Sequence, residues 1–139
     1  MRKSIPLILA TLVLAAPVAP AAARDKLTGE QQLAKRLEGR VAGKPTSCLR
    51  LYDTQTMEVI DKTAIVFGWG DTLWVNRPRD PGALDSDDVL VHKTSGGEWC
   101  SIDIVTQHDR PGLWFKGSLS LGDFVPYTRV KPAPARVGG

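Results

Sequence analysis

Two cysteines, Cys48 and Cys100, bracket the stretch of this chain that is richest in short apolar runs. The stretch opens Cys48-Leu49-Arg50-Leu51-Tyr52 and closes Trp99-Cys100-Ser101-Ile102-Asp103-Ile104. Each run between those ends stops at Gly, Pro or Asp, the residues that punctuate turns. Leu49 and Leu51 alternate with Arg50 and Tyr52, which is the period of a strand. In the second segment Cys100, Ile102 and Ile104 share one face, and Ser101 and Asp103 share the other. That pattern directs Cys100 to the core beside two isoleucines. With only two cysteines, one intramolecular pairing exists, and the expected product is a Cys48–Cys100 disulfide inside a small β-domain.

The other runs fit the same picture. Residues 57–60, 63–67, 72–76, 89–93, 99–106, 113–116 and 119–127 are each strand-like. Gly68-Trp69-Gly70-Asp71 joins two of them as a hairpin, because glycine supplies positive φ without steric cost. Residues 94–98 are expected to join 89–93 and 99–106 as a second hairpin. Pro78, Pro81 and Gly82 exclude a strand from 77–87. About seven short antiparallel strands without intervening helices predict a mainly β domain, barrel-like or a sandwich.

One helix precedes the strands, expected over residues 25–38. Thr28 is an N-cap and Gln31, three residues on, completes a capping box. Leu33, Ala34, Leu37 and Val41 fall on one face, which is expected to cover an end or face of the sheet. Before the helix, Arg2 and Lys3 lead an apolar run over 5–18, followed by Ala21-Ala22-Ala23 and then charge. This is the layout of a secretory signal peptide, 1–23. The run is about 14 residues, against about 20 for a membrane span. The single domain is then 24–128, and a tail rich in Pro, Gly and Ala, 129–139, is expected to be disordered.

Charge offers little toward a nucleic-acid partner. Without Arg2 and Lys3 the 18 basic residues become 16, against 15 acidic ones, and the signs are interspersed. No Gly-rich phosphate loop follows a strand and opens a helix, and no His or Cys pair has zinc spacing, so no cofactor or metal is expected. Asp85-Ser86-Asp87-Asp88 lacks the Gly and distal Glu of an EF-hand loop and reads as a solvated acidic turn.

Four residues are candidate binding groups. Trp69, between two glycines, either folds back to cap the barrel end, the reading favoured here, or stands out as a contact anchor. Arg77 and Arg79, around Pro78, would give the neighbouring loop a positive patch able to meet an anionic partner, although an ordinary solvated loop is the reading favoured there. His108, before Asp109-Arg110-Pro111-Gly112, is read as an exposed titrating loop residue. One catalytic alternative is a hydrolase using His92 with Ser101 or Asp103, although no tight turn exposes the serine.

Several short motifs occur in fixed order: residues 37–45 leading to Cys48, 59–61, 75–78, 87–91, 100–103 and 121–127. Over about 33–127 this order resembles a group of small exported two-cysteine proteins of Gram-negative bacteria. The resemblance implies an exported β-domain with two cysteines and brings no catalytic residues. The expected function is a periplasmic or secreted, non-catalytic binding or interaction protein of the cell envelope. Its partner would be another protein, an envelope polymer or a small ligand. The alternatives are the small hydrolase above and a purely structural envelope component.

Overall fold

A computed structural model describes residues 26–93 and 96–131. The expected signal peptide, 1–23, and the tail beyond Lys131 lie outside the described residues. The domain is mainly β, as the alternation predicts: among the described residues ten strands form three antiparallel sheets with one α-helix, and no sheet closes into a barrel.

The centre is a five-stranded sheet in the order β1-β10-β5-β4-β3. Its strands are β1 (Arg40–Ala42), β3 (Met57–Ile60), β4 (Ala64–Phe67), β5 (Thr72–Asn76) and β10 (Phe124–Arg129). β4, Ala-Ile-Val-Phe, is apolar throughout because both of its faces are covered. Ala64 and Val66 join Leu73, Val75, Ile60 and Leu33 on one side. Ile65 and Phe67 join Leu49, Leu84, Val105, Leu119, Leu121 and Phe124 on the other.

The first face is covered by α1 (Gly29–Arg36). Thr28 and Gln31 exchange the hydrogen bonds of a capping box, and Leu33 is the helix's buried side chain, with Leu37 beside it. The helix covers a sheet face, as its stripe predicts, but it is shorter than 25–38. Gly39, at φ 72°, turns the chain into β1, where Val41 is 58% exposed rather than on the helical stripe.

The second face is covered by two smaller sheets. One is the order β6-β8-β9, from β6 (Val89–His92), β8 (Ile104–His108) and β9 (Phe115–Ser120). The other is a two-stranded ribbon of β2 (Cys48–Arg50) and β7 (Glu98–Cys100), whose register sets Cys48 opposite Cys100. The disulfide is present between them. Leu49 and Trp99, the pair beside it, pack into the core. The result is sandwich-like, with α1 as an outer layer.

This arrangement corrects three expectations. The segment 99–106 is not one strand: β7 ends at Cys100, the chain turns, and β8 begins at Ile104. The break reverses the assigned face, so Ile102 is 86% and Ile104 61% exposed while Val105 and Gln107 point inward. Nor do 89–93 and 99–106 form a simple hairpin, since β7 pairs with β2 and β6 pairs with β8. Finally, 113–127 divides differently: β9 runs to Ser120, and β10 continues through Arg129, where the tail was expected to begin. Leu121, buried at the β9–β10 step, carries the chain from one layer to the other.

Candidate functional site

The hairpin joining β4 to β5 forms as the two glycines require, with Gly68 at φ 85° and Gly70 at φ 79°. Its tip is fastened from outside the hairpin. The Arg40 guanidinium donates to the carbonyls of Gly70, at 2.7 Å, and Asp71, and the Arg129 N–H donates to the Asp71 carbonyl at 2.8 Å. On this held tip Trp69 is 75% exposed. Capping of the barrel end, the favoured expectation, is therefore overturned: among the described residues no sheet closes into a barrel, and the Trp69 ring stands largely in solvent.

Trp69 borders a cleft of about 220 Å³. Trp74 of β5 and Tyr52, from the 3-10 turn Leu51–Thr54, provide two further rings, and Asp53, Thr56, Gly68 and Thr72 complete the lining. Tyr52 is 72% exposed, whereas Trp74 is half-buried against the core. The Gly68 N–H donates to the Thr56 carbonyl at 2.9 Å, which joins the tip to the chain just before β3. A Cβ added at Gly68 would stand 3.3 Å from the Thr72 carbonyl and 3.8 Å from the Trp74 ring, so glycine keeps the floor of the cleft open. Asp53 faces the Arg50 guanidinium at 3.4 Å.

The other three binding candidates sit apart from Trp69. Arg77 donates two hydrogen bonds to the Glu30 carboxylate, at 2.6 and 2.9 Å, tying α1 to the end of β5. The Arg77 hydrogen bond holds Glu30 below the ordinary carboxylate range. That corrects the expected patch: the Arg77 charge is committed to the scaffold, and Arg79 keeps an exposed side chain without it. His108 ends β8 rather than lying in a loop, and both ring nitrogens are occupied, Nδ1 by the Leu113 carbonyl and Nε2 by the Thr106 hydroxyl, each at 3.0 Å.

The catalytic alternative is half assembled. His92 Nε2 lies 2.9 Å from Asp103 Oδ2, which also accepts the Cys100 N–H at 2.7 Å. That backbone N–H, with His92 adding to it, holds the Asp103 carboxyl below its ordinary value against the opposing effect of burial. The His92 side chain is only 2% exposed, its ring stacks on Trp99 with centroids 4.2 Å apart, and Nδ1 is buried without a partner. Ser101 holds the ribbon through its N–H, which donates to the Ser47 carbonyl at 2.7 Å, and makes no hydrogen bond to His92. A base for a serine nucleophile needs a nitrogen facing that hydroxyl. Here the free nitrogen is sealed, so His92 and Asp103 act as a pin between β6 and the β7–β8 turn.

Two features were not legible in the sequence. Asp88 is buried, not a solvated turn residue: it accepts from Lys116 at 2.5 Å and faces Gln107 Nε2 at 3.4 Å. These groups wall a polar cavity of about 420 Å³ with Asp61 and Asp85. On the outer face of β6-β8-β9, the residues Val91, Ile104 and Phe115 are exposed around a groove. Only the correct register of β8 reveals that face. Among the described residues one set of metal-ligand types converges, Cys48, Glu98 and Cys100, and its two sulfurs are used in the disulfide. No family model, no curated protein and no solved structure matches the chain.

Proposed function

We propose that this chain is an exported, non-catalytic binding protein of the cell envelope, and that it makes contact through the Trp69 tip. The observation that carries the reading is Trp69 itself, exposed on a tip whose backbone is fixed by Arg40 and Arg129. A large aromatic side chain on a fixed backbone has only two side-chain torsions left to order on binding, and aromatic anchors of this kind dominate contact surfaces. A disulfide between strands and the signal-like leader support export. Among the described residues no helix is long and apolar enough to cross a membrane.

The test is fractionation followed by retention. The chain should appear in the periplasmic or secreted fraction, shortened by its leader. The purified chain should be retained on isolated envelope material, and Trp69→Ala should lower that retention at least fivefold. A full-length chain confined to the cytoplasm, or equal retention of Trp69→Ala, overturns the proposal.

A further inference from the structure

We propose that the cleft beside Trp69 is a saccharide-binding subsite, seating one sugar ring of a longer glycan. The inference rests on the binding reading above and supplies its ligand class. A pyranose presents a C–H face flanked by hydroxyls, so its receptor needs aromatic plates beside hydrogen-bonding groups. The cleft combines these: its lining includes the largely exposed rings of Tyr52 and Trp69 and the half-buried ring of Trp74. Asp53, Thr56 and Thr72 line it as well, residue types whose carboxylate and hydroxyl groups hydrogen-bond diols, with the Thr72 hydroxyl 3.2 Å from that of Thr128.

Size and charge narrow the class. The volume, about 220 Å³, is below the roughly 300–1,000 Å³ typical of pockets that enclose a whole ligand. Space for one ring, open to solvent, suits a unit of a polymer lying across the surface. The Arg50 guanidinium offsets the Asp53 carboxylate, so the lining offers an anionic ligand no net positive charge. A quaternary ammonium would favour an aromatic cage with an uncompensated carboxylate, whereas Asp53 is compensated by Arg50 at 3.4 Å. A lipid chain would favour a closed apolar slot without acid or threonine. The bare backbone of Gly68 keeps the floor at ring depth: its φ of 85° and the Thr72 carbonyl 3.3 Å from an added Cβ disfavour any side chain there.

The experiment titrates the purified chain with chitotriose, cellotriose and maltotriose, and separately with choline chloride. Tryptophan fluorescence and amide shifts are the readouts. At least one trisaccharide should bind, with shifts confined to 52–56 and 68–74. Trp69→Ala and Tyr52→Ala should each weaken that binding at least tenfold. Trp114→Ala, which removes an equally exposed tryptophan on the β8–β9 connection, should leave it within twofold. Matching thermal melts of the variants establish that they are folded. Binding of none of the three sugars overturns the inference, as does binding insensitive to Trp69 and Tyr52, or a response to choline alone. If envelope material retains the chain through Trp69 while none of the sugars competes, the saccharide class falls and the binding proposal stands. If retention is absent as well, both fall.

Discussion

Replacing Cys48 and Cys100 together by alanine tests the architecture most directly. The bond closes a segment with a sequence separation of 52, and it lies between directly opposed residues of β2 and β7. Loop-closure entropy for that length gives about 4 kcal/mol of stabilisation at 25 °C. Both cysteines are only half-buried, so truncating them removes little packing, about 1 kcal/mol or less. The ribbon has few hydrogen bonds of its own, yet it carries Leu49 and Trp99 into the core beside Phe67. The link therefore secures one wall of the main core. Against a total stability of roughly 5–15 kcal/mol, a loss of about 4 is severe. It corresponds to about 15–20 °C in Tm for a domain of this size. Urea unfolding followed by far-UV and tryptophan signals should show a lower midpoint, and wild-type chain treated with reductant should melt with the double variant. A loss under about 1 kcal/mol would refute the reasoning, as would two titratable thiols in denatured, unreduced protein.

Other consequences are equally direct. In Gly122→Ala the new Cβ would lie 2.3 Å from the Arg77 carbonyl, so backbone must move and with it the paired bonds from buried Asn76; we expect a loss of about 3 kcal/mol or more in urea unfolding. Phe67→Ala empties a fully buried site touching Trp99 and Phe124, and it should lose about 3–5 kcal/mol by the same assay. Asp103 has a folded pKa below its ordinary 3.8, so its contribution is present above that pH and is lost as pH falls through the folded value. Melting curves of Asp103→Asn should accordingly depend less on pH than wild type below about pH 4.

The sequence carried the fold class because alternation and turn residues are local signals. The β4–β5 hairpin, the capping box and the Cys48–Cys100 pairing were all legible for that reason. The faces of 99–106 were not. Two apolar residues at alternate positions look like a core stripe, but the ribbon pairing ends β7 at Cys100, and Asp103 folds back onto the Cys100 N–H. A turn inserted in a strand reverses the inward side, and only the partner strand reveals the insertion. Arg77 was misread for a related reason: its Glu30 partner lies 47 residues away, beyond any local pattern. The cleft was half visible. Trp69 stood out between its glycines, but Tyr52 looked like a continuation of β2, and only the 3-10 turn places it and Asp53 beside the tip.

The position of β10 sets a constraint in time. The last strand among the described residues, it lies inside the five-stranded sheet, between β1 and β5, and Arg129 at its end reaches the Trp69 tip. Until the last described strand has left the ribosome, β1 has no partner in the sheet and β5 keeps an open edge. The central sheet is thus completed only by this last described strand, and a product truncated before Phe124 would lack both its interior strand and the Arg129 bond to the tip.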